Sequence, residues 1–390
     1  MAPIRVALIG LSSTAKTSWA AQGHLPYLSS PKGKSHYEIV ALLNSSESAA
    51  AAAREHFGLP SNVRTYGDPT ALARDTNVDL VVCNTRVDVH FPSVQPSVAA
   101  GKAVYVEWPL AENLQRAVQM TQDQLLPNSI MGVQGRVAPP ILKVKELLDS
   151  GRIGSVLSSD IKAFGSLLYN GALPDSLAYF AEREVGGNPI TIAYTHMIDF
   201  VHSVLGEFES FQSHMSIGRP TLEILGDGGE QLRTVPSDVP DFLAAHGTVK
   251  SARTAPGGAA LAVTFRNGKP FKGTPAFTWT INGEKGEILL VSPSGPYLQS
   301  DSYRAPITIQ LHDHATDQVE TIEWDWADWQ KKLPVRSRLV GELYERFAWW
   351  WENGRPTGQL PEGREWPRLH DGVERLKEVE ELFAQYDKRQ

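Results

Sequence analysis

The chain has 390 residues, 42% hydrophobic, 9% aromatic and 21% charged, a composition that suits two packed domains and excludes intrinsic disorder. Its formal net charge of −7 excludes the broad basic footprint of a non-specific nucleic-acid binder. One cysteine excludes an intrachain disulfide, and no apolar run approaches the roughly 20 residues that would cross a bilayer.

Ile4–Ile9 reads as a buried strand, and its position leaves no room for a secretory leader, so a reducing, cytoplasmic setting is expected. Gly10-Leu11-Ser12-Ser13-Thr14-Ala15 follows, with Gly10, Ser12 and Ala15 at the three small-residue positions of a dinucleotide fingerprint. Gly10 permits the tight turn. Ser12 and Ser13 offer hydroxyls to a phosphate at the start of a helix running to Leu28. Tyr37–Leu43 is a second strand and Ser46–His56 a helix. Between them stands Asn44-Ser45-Ser46, where a carboxylate would grip the ribose of NAD; without one, NAD and NADP are both admissible.

Leu80–Cys83 is a further strand, with Cys83 read as a small buried hydrophobe and a reactive thiol as the lesser alternative. It delivers Asn84 and Thr85 to the sheet edge where such folds hold their ligands. His90 either joins them or simply starts the helix expected over 90–100. Ala103–Val106 leads into Glu107-Trp108-Pro109. A helix over 113–125, a strand at Ile130–Val133 with Gln134 beyond it, and a helix over 140–150 complete this half. Strands spaced by single helices predict a doubly wound parallel sheet over residues 1–135.

Over residues 136–390 the rhythm changes. Leu261, Val263 and Phe265 alternate with smaller or polar residues, as do Phe277, Trp279 and Ile281, then Ile307, Ile309 and Leu311, then Ile322, Trp324 and Trp326. Period-two runs joined by short turns predict an open, mainly antiparallel sheet, an α+β domain after the α/β one. Helices over 338–352 and 372–386 either pack on that sheet or return towards the first domain.

The second half also holds Gly186-Gly187-Asn188-Pro189, then Thr191-Ile192-Ala193-Tyr194-Thr195-His196 and Asp199. His196 and Tyr194 are its candidate proton-handling groups, with Tyr169 and Tyr179 outside the segment as further candidates. No metal is expected. His196 and His202 lie about 240° apart around a helix and share no ligand face, and His312-Asp313-His314 reads as a solvated turn.

The glycine turn after the first strand, the Glu-Trp-Pro end of the fifth and the Gly-Gly…His segment together resemble the glucose–fructose oxidoreductase, inositol dehydrogenase and MocA family. Gly101-Lys102 and Gly151-Arg152-Ile153-Gly154 fit the same pattern. Other pieces are similar to the fungal branch that holds the galactose-pathway repressor of yeasts: Trp19-Ala20, Val106-Glu107-Trp108, Gln134-Gly135-Arg136, Val239-Pro240-Asp241 and Gly268-Lys269-Pro270. The resemblance implies a Rossmann domain, an open sheet used for homodimerisation, and an active site between them. It places Trp19 and Trp108 beside the nicotinamide, Gln134 near it, and His196 at the family's histidine.

Two departures accompany that match. The family's lysine is Trp108 here, and its aspartate four residues before the histidine is Ile192. An indole neither carries a positive charge nor exchanges a proton near neutral pH. Two functions therefore stand open. One is an NAD(P)-dependent oxidoreductase of a small polyhydroxylated or carbonyl metabolite. The other is a non-catalytic cofactor sensor with a regulatory protein partner, present in the nucleus as well as the cytoplasm.

Overall fold

The computed structural model describes residues 2–15, 18–122, 126–165 and 171–390; Tyr169 and the end of the helix expected over 113–125 lie outside them. The chain divides into two compact units. The first comprises residues 1–134 and 327–377, the second residues 135–326 and 378–390.

Six short strands build the first unit: β1 (Ile4–Ile9), β2 (Tyr37–Leu43), β3 (Arg64–Tyr66), β4 (Leu80–Cys83), β5 (Ala103–Glu107) and β6 (Ser129–Gly132). They pair in parallel in the order β3-β2-β1-β4-β5-β6. Every residue of β4, β5 and β6 is buried, as expected of parallel strands covered by helices on both faces. β3 escapes sequence reading because three residues, all half-buried, carry no periodicity.

Residues 327–377 belong to this unit because their apolar side chains complete its core. Leu369, Val373 and Leu376 join Trp108, Leu110, Met131 and Val133 in one buried cluster. The expected single second domain over 136–390 is thus corrected, and the helical return is the alternative the molecule takes. Tyr344, on the helix Val335–Glu352, stacks on Tyr27 at 5.3 Å between ring centroids. On the same helix, an added Cβ at Gly341 would come within 2.7 Å of the Tyr27 ring, so this close approach requires glycine.

In the second unit, β7 (Val156–Gly165) and β8 (Ala172–Pro174) precede β9 (Phe208–Ser216), β10 (Thr221–Leu225), β11 (Gln231–Pro236), β12 (Phe242–Val249) and β13 (Ala259–Asn267). β14 (Phe277–Gly283), β15 (Gly286–Ser292), β16 (Thr308–Asp313) and β17 (Gln318–Ile322) follow. Eight of them form a sheet in the order β17-β16-β15-β14-β7-β13-β12-β9; β8, β10 and β11 form a small second sheet. Pairing in the large sheet is antiparallel except between β7 and β13. Leu261, Val263, Phe265, Phe277, Trp279 and Ile281 all point to the covered face, as their alternation predicts. The buried indole of Trp279 donates to Ser159 Oγ at 2.8 Å, so no polar atom of it is orphaned. The helix Thr195–Leu205 covers this face, with the Phe200 ring against those of Phe277 and Trp279. Trp324 and Trp326 lie beyond β17 and pack their rings on Tyr303, which corrects the expected strand through them.

Candidate functional site

The strand order reverses direction between β1 and β4, so the chain leaving each of these strands turns to opposite faces and opens a crevice at their C-terminal ends. Gly10 sits there with φ 88°. A Cβ on it would lie 2.9 Å from Thr85 Cγ2 and 3.1 Å from the Asn84 carbonyl oxygen, so both backbone shape and space demand glycine.

Ser12 Oγ accepts from Thr14 N at 3.2 Å, a local turn that competes with helix formation. Helical structure begins at Trp19–Ala20 instead, which corrects the expectation that a helix opens at Ser12 and Ser13. Asn44 also has a different task from the one expected. Its Nδ2 donates to the carbonyls of Leu11 at 2.8 Å and Ala49 at 3.3 Å, so its donors brace the glycine loop. Ser45 beside it is exposed, and Ser46 caps the helix Glu47–His56 through Ala49 N.

Asn84 leaves β4 into the crevice. Its side-chain nitrogen and oxygen are both buried and neither has a hydrogen-bond partner. A buried amide left unpaired costs about 1–3 kcal/mol, so a polar ligand is the natural occupant of this position. The Gly10 cradle and the orphaned Asn84 amide together fit a dinucleotide. Behind them, Cys83 is fully buried and its thiol is pushed up to about 11 by desolvation.

His90 starts the helix His90–Ala99 and is itself buried. Its Nδ1 lies 2.8 Å from the Pro109 carbonyl and its Nε2 2.9 Å from the Thr85 carbonyl. The ring thus sits between the loop after β4 and the loop after β5, and in its neutral form it donates to one of the two carbonyls; of the two readings open in the sequence, the helix start is the one seen. Burial pushes its pKa below the ordinary value.

Trp108 is 6% exposed and belongs to the apolar cluster under the sheet, followed by a cis bond to Pro109. Glu107 accepts from His24 Nε2 at 2.8 Å, and His24 Nδ1 in turn faces the Tyr344 hydroxyl at 2.8 Å. Sequence reasoning missed His24 and Tyr344, because residues 320 positions apart carry no local signal of pairing. Trp19 lies against Gly23, where an added Cβ would meet its indole at 2.9 Å, and its buried Nε1 has no partner. Gln134 is buried with Oε1 unpartnered. Glu107 ends β5, and Trp108 and Gln134 follow β5 and β6, at the same C-terminal edge as Asn84.

In the second unit, Asn188 Oδ1 accepts from Ile190 N and Thr191 N, which starts the turn leading into the helix Thr195–Leu205. His196 stands in the first turn of that helix, 8% exposed. Three residues on, the fully buried Asp199 takes a two-pronged ion pair from Arg136, 2.8 Å from Nε and 2.7 Å from Nη2. An added Cβ at Gly135 would lie 3.1 Å from Phe200, so the segment around Arg136 packs directly on this helix.

Tyr194 has no exposed surface and donates to Glu378 Oε1 at 2.9 Å. Its hydroxyl proton is thereby engaged by a carboxylate of the second unit. Ile192 packs against Leu173, Phe180, Leu222 and Ile224, so it serves an apolar cluster of the second unit. Tyr179 lies against the same cluster. No helix among the described residues is long and apolar enough to cross a membrane.

Residues 4–124 match the model of the oxidoreductase family with an NAD-binding Rossmann fold, and residues 139–292 match that of the Gal80p C-terminal domain. The dehydrogenase aclE of Aspergillus oryzae is 33% identical over 75% of this chain and 77% of its own length. The galactose/lactose metabolism regulatory protein GAL80 of Kluyveromyces lactis is 27% identical over 75% of this chain and 65% of its own. Among solved structures, a super-repressor mutant of Gal80p from Saccharomyces cerevisiae superposes with a TM-score of 0.84 at 23% identity, over 100% of this chain and 97% of that one. Levoglucosan dehydrogenase follows at 0.74 and 18%, over 99% and 98%.

Proposed function

The chain belongs to the Gfo/Idh/MocA oxidoreductase family, with a Gal80p-type C-terminal domain, and from that premise we propose that it is an NAD(P)-dependent oxidoreductase of a small polyhydroxylated or carbonyl metabolite. The observation that carries this reading is the orphaned Asn84 amide beside the Gly10 cradle, a buried polar group that a dinucleotide would satisfy. When bound, the nicotinamide ring supplies the hydride acceptor or donor.

The chain's own residues supply binding and the proton. Gly10 lets the backbone approach the pyrophosphate. Asn84 offers one donor site and one acceptor site. Trp19 and Trp108 provide indole surface for the ring, and Gln134 adds an amide. His196 is the proton-handling group, because Trp108 has no exchangeable charge and Tyr194 is committed to Glu378. The ion pair of Arg136 with Asp199 orients its helix. Ser45 is the exposed hydroxyl at the ribose position, and without a carboxylate there both NAD and NADP are accepted. The protein acts as a homodimer through the open face of the eight-stranded sheet.

A second reading is supported by a specific observation: Trp108 is packed into the first unit's core, and its indole neither carries a charge nor exchanges a proton. In that reading the chain is a cofactor sensor for a regulatory protein partner, cytoplasmic and nuclear, in keeping with its similarity to a galactose/lactose metabolism regulatory protein. Incubation with NAD(H) and NADP(H) and a panel of sugars, polyols and ketones separates the two. Turnover that falls by about 10²–10⁴ in His196→Gln, with cofactor affinity unchanged, supports the enzyme. Tight cofactor binding without hydride transfer to any substrate overturns it in favour of the sensor.

A further inference from the structure

Away from the dinucleotide crevice, the second unit gathers three potential metal ligands. His202, Glu207 and Glu378 each present one ligand atom, and these atoms all lie within 4.8 Å of one another. His202 is on the last turn of the helix Thr195–Leu205, and Gly206 ends that helix with φ 98°. The turn at Gly206 carries the chain back so that Glu207, five residues after His202, reaches the same point. Glu378 comes from the helix Leu369–Asp387.

The surroundings of these three side chains bear on whether they could hold an ion. His202 has no exposed side-chain surface, and its Nδ1 lies 2.9 Å from the Gly206 carbonyl. A carbonyl only accepts, so Nδ1 carries a proton, and in a singly protonated ring Nε2 presents a lone pair. That Nε2 lies 3.1 Å from Glu378 Oε2. A lone pair facing a carboxylate oxygen is repulsive unless a cation lies between them or the ring is doubly protonated. Glu378 is held in turn by the Tyr194 hydroxyl on its other oxygen. An outer hydrogen bond on both the histidine and the carboxylate is the arrangement that orients metal ligands. The partial negative charge at the helix C-terminus adds to the attraction for a cation. Two ligands about 2.1 Å from a tetrahedral ion stand roughly 3.4 Å apart, close to the observed nitrogen–oxygen separation.

We propose that His202, Glu207 and Glu378 bind one divalent transition-metal ion, with Zn²⁺ the best match to one imidazole and two carboxylates. Glu207 faces solvent and provides the entry path, and a water completes the fourth position. The ion ties the helix Thr195–Leu205 to the end of the last helix, and so stabilises the second unit.

The full-length protein, stripped with a chelator and desalted, is titrated with ZnCl₂ by calorimetry and with CoCl₂ by visible absorption. The expected result is one saturable equivalent and a tetrahedral Co²⁺ spectrum, with a rise in Tm on adding Zn²⁺. Glu207→Gln, a solvent-facing change that leaves the fold intact by circular dichroism, weakens binding at least tenfold and removes the Tm rise. His202→Asn abolishes binding. Tyr194→Phe weakens it by about 10–100-fold through Glu378. Absence of saturable binding, or binding unchanged in both Glu207→Gln and His202→Asn, overturns the proposal and leaves an imidazolium–carboxylate ion pair.

Discussion

At the scale of single residues, the crevice is a compromise between stability and binding. Asn84 leaves two polar atoms buried and unpaired in the free protein. Asn84→Ala should therefore leave the Tm of the free protein unchanged or raise it, while increasing the cofactor Kd at least about tenfold, a loss of roughly 1.4 kcal/mol. Paired thermal melts and fluorescence titrations check both halves. Cys83 gives a second prediction. With its thiol pushed up to about 11 by burial, it should resist alkylation in the native protein at neutral pH and react only on denaturation, as counted by mass spectrometry. Gly10, Asn84 and Cys83 were legible in the sequence because strand-end position alone assigns their setting. His90 and Asn44 were legible as residues at the edge but not in their roles, since a polar side chain near a ligand site bonds equally well to a loop carbonyl. His24, Tyr344 and Glu378 were invisible, because only the tertiary fold brings them to Glu107 and Tyr194.

At the scale of elements, His90 joins two loops that leave adjacent strands. The free imidazole titrates near 6.5, and burial lowers the folded value. As pH falls, the unfolded chain takes up the proton first. The contribution of His90 is thus fully present above about pH 6.5 and is lost as pH falls through the lowered folded value. Melts of the wild type and His90→Asn between about pH 5 and 8 test this. The wild type should lose more stability on acidification, and parallel curves would refute the role. Strand positions were read within a few residues in β1, β2, β13 and β14, whereas β7, β9 to β12 and β15 were not read, although burial in β15 alternates at every residue. β3 and β8 were not read either, being three residues long. Trp324 and Trp326 show the converse error: a clean alternation of aromatics outside the ladder, satisfied by ring packing on Tyr303.

At the scale of the whole molecule, the two-fold change of rhythm foretold a parallel sheet followed by an antiparallel one, and both are present. The return of residues 327–377 to the first unit was open in the sequence, because an amphipathic helix does not name the core it covers. Leu376→Ala, although near the end of the chain, should cost about 2–5 kcal/mol by emptying the Rossmann core. Cofactor at a hundred times its Kd should restore about 2.7 kcal/mol of that loss, measured by denaturant titration with and without NAD(H). A variant that saturating cofactor fails to rescue would place Leu376 outside the binding unit's cooperative core. The same discontinuity bears on birth rather than stability. The Rossmann strands emerge from the ribosome first, yet the helix that fills their core follows only after residues 135–326 have been made. At ordinary translation speeds this is a delay of roughly 10–40 s. During that interval Leu110, Met131 and Val133 lack their partners from the last helix, so part of the Rossmann core stays uncovered until Leu369, Val373 and Leu376 arrive.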